Sequence, residues 1–280
     1  MRYVGFVKDG LRYIGRRDGS AIRPVARADE FYAELPRFSA EAGGDPVDFA
    51  TAVIAPALPL TSRIFCVGIN YRAHALEASA AGIEEPKFPM IFGRWENTLV
   101  VDGAPVPVPP NEPGLDWEVE LAVIIGKKTW LVSEEAAMDS VFAYATFNDL
   151  SARKKQMHTR QFTLGKNADC SGPISPLVTK DEVPNVNNLR VLTRVNGQIM
   201  QDANTRDFLH NIPRIISYIS DTVTLLPGDV IATGTPGGVG SARNPRIYLN
   251  AGDVVEVEVE GVGVVRNPIV SREQYDRGTV

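Results

Sequence analysis

The sequence contains little of what builds thiolate metal sites or covalent cross-links. Its 280 residues include two cysteines, Cys66 and Cys170, which lie far apart and belong to no Cys-x-x-Cys or Cys/His cluster. This pattern excludes a disulfide scaffold, offers no thiolate zinc site and is typical of a reducing compartment. A chain of this length can bury a substantial core without cross-links. We therefore expect a soluble, cytoplasmic protein.

Long apolar runs and basic blocks are also missing. No uninterrupted apolar run approaches the ~20 residues that span a bilayer, and the start MRYVGFVKDGLRYIG lacks the apolar core of a secretion signal. The 34 acidic and 29 basic residues give a net charge of -5, without a lysine or arginine cluster that would mark a nucleic-acid surface. We expect a small-molecule partner, and neither a membrane nor a nucleic acid.

The N-terminal part predicts a small α/β lobe. YVGFV, Asp9-Gly10 and LRYIG follow one another as strand, tight turn and strand. Residues 28–38 indicate a short helix, and the proline-spaced residues 52–62 indicate a connector. We place a domain boundary near residue 60, with the lobe over residues 1–60 and a catalytic domain over residues 61–280.

The rest of the chain is dominated by short apolar segments. They are separated by glycine, proline and other turn residues, which is typical of a β-rich domain. An alanine-rich stretch that stops at Gly82 predicts a helix, and Phe208, Leu209, Ile212 and Ile219 mark a second, amphipathic helix. The predicted fold class is β-rich, mixed α+β.

A pair of glutamates introduces the candidate chemistry. Glu118 and Glu120 stand two apart in LDWEVELAVIIG, so a strand would project both carboxylates from one face, where they could bind one cation. The same spacing recurs at Glu256, Glu258 and Glu260, so spacing alone does not separate a ligand pair from a solvated face. The apolar LAVII after the first pair favours a cation, because burying unpaired carboxylates is costly.

Asp149 could complete such a site. It follows the apolar VFAYATF and is either a turn residue, the favoured explanation for it alone, or a third oxygen ligand at a strand end. Three carboxylates without histidine or cysteine would form an all-oxygen site. Such a site suits Mg²⁺, Mn²⁺ or Ca²⁺ better than zinc or copper.

A possible general base lies on the alanine-rich helix. His74 and Glu77 are three residues apart, so they share a helix face, and the carboxylate could orient the imidazole. A surface pair is the favoured explanation without further context. Because the helix lacks a strong apolar stripe, it should dock weakly, which would suit a lid over a site.

Other candidates lie in glycine-rich or apolar surroundings. PGDVIATGTPGGVG places Thr233 and Thr235 before a glycine-rich turn whose N–H groups could bind an anion, although a plain β-turn also explains the glycines. Lys166 could face a carboxylate or enolate, and the Arg94 guanidinium could hold a carboxylate. Taken alone, both are better explained as surface residues.

Six segments in order resemble the fumarylacetoacetate hydrolase family over roughly residues 62–270. CVGINYRAHALEA resembles its Asn-Tyr-x-x-His-x-x-Glu segment, DWEVELAVIIGK its Glu-x-Glu metal strand, and FNDLSARKKQ its Asn-Asp-x-Ser-Ala-Arg element. QFTLGKNADCSGP resembles the lysine segment, VNGQIMQDANTRD a substrate-side loop, and LLPGDVIATGTPGGVG the Thr-Gly-Thr-Pro turn. The joint pattern is specific.

The resemblance implies a β-roll catalytic domain, usually a homodimer, that binds one Mg²⁺ or Mn²⁺ per subunit through Glu118, Glu120 and Asp149. It also implies roles for seven further residues. The expected catalytic residues are His74, Glu77 and Lys166, and the expected substrate-binding residues are Tyr71, Arg94, Gln201 and Thr235. The chain departs from the family pattern at Arg94, Lys154, Asn167 and Ala168, which affects the expected substrate preference and leaves the metal ligands untouched.

The expected reaction is cleavage of a carbon–carbon bond in a 2,4-dioxo acid of the acylpyruvate or fumarylpyruvate type, as in aromatic catabolism. In this hypothesis His74, oriented by Glu77, deprotonates the attacking water, and Lys166 offsets charge on the enolate. Two alternatives use the same site: decarboxylation of an oxaloacetate-like acid and isomerisation of a hydroxydienedioate. A third, from another class, is a non-catalytic module that binds a metal or an oxo acid.

Overall fold

The computed structural model describes residues 1–38, 43–80, 82 and 84–276. Its strands are β1 (Arg2–Lys8), β2 (Leu11–Asp18), β3 (Ala21–Arg27), β4 (Val47–Asp48), β5 (Val53–Ala55), β6 (Ile64–Gly68), β7 (Met90–Arg94), β8 (Leu99–Val100), β9 (Val106–Val108), β10 (Val119–Ile125), β11 (Val141–Asn148), β12 (Gly172–Pro173), β13 (Leu177–Thr179), β14 (Arg190–Val195), β15 (Gln198–Asn204), β16 (Val230–Ala232), β17 (Val254–Val259) and β18 (Gly263–Ser271). Its helices are α1 (Ala28–Ala33), α2 (Leu35–Phe38), α3 (Arg72–Ala80), α4 (Glu134–Ala137), α5 (Arg153–Gln156), α6 (Thr163–Lys166), α7 (Ile212–Ser220) and α8 (Arg272–Asp276). The β-rich, mixed class predicted from the sequence is confirmed.

The largest sheet has eleven strands and carries the candidate site. Its order is β4-β3-β2-β1-β13-β11-β10-β16-β6-β7, with β5 on β1. The predicted N-terminal hairpin is confirmed, since β1 pairs with β2 around a turn in which Asp9 and Gly10 have positive φ. Strand β1 also pairs with β13 through Tyr3 and Leu177, so the N-terminal strands continue the same sheet. The domain boundary near residue 60 stays a prediction.

Strand β10 explains the uninterrupted apolar run in the sequence. Val119, Leu121 and Val123 pack into a core shared with β14 and β17 of a second, five-stranded sheet. Ala122 and Ile124 pack into another core, shared with β1 and α1. A strand covered on both faces has no solvent side and therefore tolerates no alternation of apolar and polar residues.

The two predicted helices are present with different bounds. Helix α7 begins at Ile212, where the Asn211 side chain accepts the Arg214 N–H at 2.9 Å, and it buries four isoleucines. Phe208 lies before this helix and forms a backbone bridge with Tyr71. The alanine-rich helix α3 ends at Ala80, before Gly82, whose φ is +82°.

The second glutamate series, which has the same spacing as Glu118 and Glu120, lies on a solvent-facing strand. Glu256 and Glu258 are half-buried on β17, and each accepts a hydrogen bond from Arg194 at 2.8 Å. No helix within the described ranges is both long and apolar enough to cross a membrane.

Candidate active site

Two antiparallel strands bring the three predicted metal ligands together. Glu118 directly precedes β10 and Glu120 lies within it, so the pleat projects both side chains from one face. Strand β11 pairs Asn148 with Val119, and the Asp149 N–H bonds the Glu118 carbonyl at 3.0 Å. One carboxylate oxygen from each of Glu118, Glu120 and Asp149 lies within 4.8 Å of the others, and all three residues are buried. The sequence-predicted cluster therefore exists as a spatial group.

Cationic side chains surround part of this cluster. Lys166 Nζ lies 2.7 Å from both Glu118 Oε2 and Asp149 Oδ2. Arg94 donates to Asp149 Oδ1 from Nε at 2.9 Å and from Nη2 at 2.5 Å. Glu120 takes part in no ion pair among the described residues, and its contact is the Gly234 N–H, which donates to Oε2 at 2.9 Å. The acid cluster is therefore compensated at Glu118 and Asp149 and left uncompensated at Glu120.

The pKa shifts follow the same asymmetry. Burial alone would raise the pKa of Glu118, but the charges of Lys166 and Arg153 lower it to about 2. Burial, reinforced by the charges of Asp149 and Glu118, raises the pKa of Glu120 well above its usual range. Burial alone would lower the pKa of Lys166, but the neighbouring carboxylates raise it, so this lysine stays cationic.

The donor set fits a divalent cation. Hard cations such as Mg²⁺ and Mn²⁺ prefer carboxylate oxygens, and the cluster supplies three without histidine or cysteine. A bound cation would also stabilise the ionised form of Glu120, which has no ion-pair partner among the residues that the structure describes. Glu118, Glu120 and Asp149 are the residues that would hold it.

The predicted dyad faces the same space as the acid cluster. His74 Nδ1 lies 3.1 Å from Glu77 Oε2 on α3, and Glu77 Oε1 accepts the Gly238 N–H at 2.7 Å. Since an ionised carboxylate only accepts, the proton of this pair belongs on Nδ1, which leaves Nε2 as the basic nitrogen. A side chain at Gly237 would approach Ala73 Cβ to 3.1 Å, so α3 packs closely on the glycine-rich turn. The lid role of α3 stays a prediction.

The glycine-rich turn extends from the end of β16 to the acid cluster. Gly234 has φ of +97°, and a Cβ there would lie 2.8 Å from the Val67 carbonyl oxygen, so the turn requires glycine at this position. Its N–H binds Glu120, and the next residue, Thr235, accepts a hydrogen bond from Gln201 Nε2 at 2.9 Å. The turn thus connects Glu120, a predicted metal ligand, to the cavity wall.

A cavity of about 1360 Å³ opens over these groups. Six of the ten predicted site residues line it, namely His74, Glu77, Glu118, Glu120, Lys166 and Thr235. Asp149 is fully buried behind this wall.

The other three predicted substrate contacts do not line the cavity. Arg94 holds Asp149, Gln201 holds Thr235, and Tyr71 packs edge-on against Phe208 with ring centroids 4.8 Å apart. Direct substrate contacts by Tyr71, Arg94 and Gln201 stay predictions.

Sequence reasoning missed two residues that organise the site. Asp116 is fully buried and accepts the N–H groups of Gly240 at 2.6 Å and Ser241 at 3.0 Å, together with Arg153 Nε at 2.8 Å. Arg153 lines the cavity, and its Nη2 lies 2.5 Å from Glu118 Oε1. The sequence contained a signal for Asp116, because residues 116, 118 and 120 are acidic at every second position, as on one face of a strand.

Comparison with a family model identifies the protein class. The model described as "Fumarylacetoacetate (FAA) hydrolase C-terminal" matches residues 63–270. The chain belongs to the fumarylacetoacetate hydrolase family, and it is an enzyme of that family. The resemblance drawn from the six motifs is confirmed.

Two curated relatives from animals carry the same activity in their names. A mitochondrial oxaloacetate tautomerase of Xenopus laevis is 42% identical over 217 residues, which are 76% of this chain and 67% of that protein. A mitochondrial oxaloacetate tautomerase of Rattus norvegicus is 37% identical over 246 residues, 82% of this chain and 78% of that protein. The mitochondrial location is theirs, and the cytoplasmic location expected for this chain stays a prediction.

Solved structures share all or most of this fold. A putative HpcE protein from Mycobacterium smegmatis matches with a TM-score of 0.87 and 33% identity, over 97% of this chain and 100% of that one. A fumarylpyruvate hydrolase from Pseudomonas aeruginosa, in complex with Mn²⁺ and pyruvate, matches with a TM-score of 0.70 and 28% identity, over 77% of this chain and 91% of that one. The fumarylacetoacetate hydrolase fold is therefore confirmed.

Proposed function

We propose that the protein catalyses keto–enol tautomerisation of a 2-oxo dicarboxylic acid of the oxaloacetate type, with a divalent cation held by Glu118, Glu120 and Asp149. The observation that carries this proposal is the His74–Glu77 pair on the wall of the cavity whose floor is the acid cluster. It places a proton-transfer group beside a site suited to a chelated 2-oxo acid. The tautomerase names of relatives 37–42% identical support the choice of reaction.

The cation would act as a Lewis acid that polarises the 2-oxo group and neutralises the carboxylate beside it. The protein's own residues carry the proton transfer. His74 Nε2 removes a proton from C3, and the C3–H electron pair becomes the C2–C3 double bond. The carbonyl electron pair moves onto the C2 oxygen, whose negative charge the cationic Lys166 offsets. That oxygen takes the proton back from the His74 imidazolium to give the enol, which returns His74 to its neutral form, and the reverse sequence restores the ketone.

Glu77 and the glycine-rich turn hold the base in position. Because Glu77 Oε1 is fixed by the Gly238 N–H, its other oxygen is directed at His74 Nδ1. The ionised carboxylate stabilises the imidazolium formed after proton removal. General acid–base catalysis of this kind contributes roughly 10²–10⁴-fold in rate.

Hydrolysis of a 2,4-dioxo acid, the reaction expected from the sequence, is the second candidate. The same dyad could activate water, the cavity of about 1360 Å³ has room for an acyl group, and the Pseudomonas aeruginosa structure is titled a fumarylpyruvate hydrolase. Hydrolysis consumes a water molecule and breaks a carbon–carbon bond, whereas tautomerisation does neither. The homodimer implied by the resemblance also stays a prediction.

A substrate screen separates these reactions. Purified protein with Mn²⁺ or Mg²⁺ would be mixed with enol oxaloacetate, with acetylpyruvate and with a hydroxydienedioate, each with and without excess chelator, against metal alone. The proposal expects chelator-sensitive acceleration of enol decay without CO₂ release. Loss of diketo absorbance without enol decay would show a hydrolase and not a tautomerase. CO₂ release from oxaloacetate would show a decarboxylase, and turnover of the dienedioate alone would show an isomerase. Metal binding without any turnover would support the non-catalytic module.

A further inference from the structure

Two arginines on the cavity wall have no partner within the described part of the chain. Arg160 and Arg246 line the same cavity as the acid cluster, and both are exposed. Neither side chain takes part in a hydrogen bond or an ion pair there. The other basic side chains of this wall are engaged, since Lys166 and Arg153 contact carboxylates and Lys154 Nζ donates to the Asn111 carbonyl at 2.9 Å.

The wall that carries these arginines is fixed to the site. Glu112 accepts the N–H groups of Lys154 and Lys155, each at 2.9 Å, so its carboxylate caps α5 and forms no ion pair with either arginine. On the other side of the wall, the Ile247 N–H bonds the Gly240 carbonyl at 3.1 Å. Gly240 is in turn held by Asp116. The backbone beside Arg246 is therefore tied to the residue that orients Arg153.

The cavity is lined both by buried acidic side chains and by exposed basic ones. Glu118 and Glu120 are 4% and 1% exposed, whereas both arginines are exposed. Its volume of about 1360 Å³ exceeds the roughly 300–1,000 Å³ of pockets that hold drug-sized ligands, so a four-carbon acid would leave much of it empty. A guanidinium group offers a planar fork of donors that matches a carboxylate.

We propose that Arg246 and Arg160 form an anion-binding subsite that holds the remote carboxylate of a 2-oxo dicarboxylic acid longer than oxaloacetate. The 2-oxo end of the same molecule lies at the acid cluster. The inference rests on the proposed function for the placement of that end, but not for the reaction that follows. Arg246 and Arg160 are then specificity-determining residues, which distinguish a dicarboxylate from a monocarboxylate of equal length.

A matched pair of ligands tests this subsite without turnover. Calorimetry of the Mn²⁺-loaded protein would compare 2-oxoadipate with 2-oxohexanoate, which have the same number of carbons and differ in the remote carboxylate. We expect at least a roughly tenfold preference for 2-oxoadipate, the effect of a charge-assisted hydrogen-bonded pair. Arg246→Gln with Arg160→Gln should remove this preference and leave 2-oxohexanoate binding unchanged. The control Arg206→Gln, at an exposed arginine outside this cavity, should retain it.

Three outcomes would overturn the subsite: equal affinity for the two ligands in the wild type, a preference that survives in the double variant, or no binding of either ligand. Glu120→Gln should weaken the binding of both ligands equally, because Glu120 acts on the 2-oxo end, which the two ligands share. A protein that keeps the arginine-dependent preference but fails to tautomerise oxaloacetate would contradict the proposed reaction and leave the subsite standing.

Discussion

Asp116 and Arg153 form a buried ion pair at 2.8 Å, beside Glu118 and beneath the glycine-rich turn. Asp116→Asn would remove the charge that Arg153 faces and weaken the hold on the Gly240 N–H. We expect a loss of about 1–3 kcal/mol in the free energy of unfolding, as for a disturbed buried polar network. We also expect at least a roughly tenfold fall in kcat/KM, because Arg153 would no longer be oriented on the cavity wall.

Asp229→Asn is a matched control for that variant. Asp229 is also buried, pairs with an arginine, Arg63, and accepts a backbone N–H from Leu226 at 2.7 Å, but it lies outside the cavity wall. Asp229→Asn should lower the free energy of unfolding by a similar amount and leave kcat/KM of the folded protein unchanged. If both variants lost activity only in proportion to stability, a positioning role for Asp116 would be wrong.

Divalent metal should stabilise the protein through the acid cluster. At a concentration about 100 times its Kd, a ligand bound only by the folded state adds about 2.7 kcal/mol. For a chain of this size that corresponds to a rise in Tm on the order of 5 °C with Mn²⁺. Differential scanning calorimetry with and without chelator measures it.

The chain supplies its own control for this experiment. Glu120→Gln should abolish most of the rise in Tm, whereas Glu258→Gln should keep it, because Glu258 belongs to a glutamate series with the same spacing on a surface strand. An equal rise in both variants would place the metal elsewhere in the molecule.

The pH dependence of metal affinity should be governed by Glu120. Its raised pKa means that, below that pKa, the carboxyl group binds a proton which the cation must displace. Affinity for Mn²⁺ should therefore fall about tenfold for each pH unit below the pKa of Glu120 and level off above it. Glu118, with a pKa of about 2, is ionised throughout this range and adds no slope.

Calorimetric titrations with Mn²⁺ at several pH values test this assignment. Glu120→Gln should bind Mn²⁺ more weakly and without the one-proton slope, since the amide does not titrate. The assignment to Glu120 is refuted by a slope that persists unchanged in this variant.

The proton-transfer role of His74 predicts a graded series of variants. His74→Ala should lower kcat by roughly 10²-fold or more, the usual contribution of a general base. Glu77→Gln should cost less, because the amide oxygen can still accept the Gly238 N–H while the charge opposite the imidazole is lost. Steady-state kinetics on the substrate found active in the screen measures both.

His158 provides the comparison for that series. It is an exposed histidine that does not line the cavity, so His158→Ala should retain wild-type kcat. Wild-type turnover by a folded His74→Ala variant would exclude His74 as the base.

Part of the acid cluster could be predicted from the sequence. Strand alternation predicts that Glu118 and Glu120 share a face, and the structure confirms it. Asp149 reaches them only through the pairing of Asn148 with Val119, a register between distant segments that local patterns do not specify. The family motifs supplied this link.

The binding partner of Arg94 could not be predicted from the sequence. The sequence predicts that Arg94 holds a substrate carboxylate, which stays a prediction, and the structure shows this arginine holding a carboxylate of the protein itself. That carboxylate belongs to Asp149, because Arg94, at the end of β7, is buried against the cluster. Tertiary packing also brings Arg153 to Asp116 and Glu118, a contact between distant segments that local patterns do not specify.

The most direct test of the account is hydrogen exchange at C3 of oxaloacetate, followed by proton NMR in D₂O with Mg²⁺. Tautomerisation breaks and remakes the C3–H bond, so wild-type protein should accelerate loss of the C3 proton signal above the rate with Mg²⁺ alone, and chelator, His74→Ala and Glu120→Gln should each remove that acceleration. An exchange rate equal to that of Mg²⁺ alone, or an acceleration untouched by all three, would contradict a metal-dependent tautomerase built on these residues.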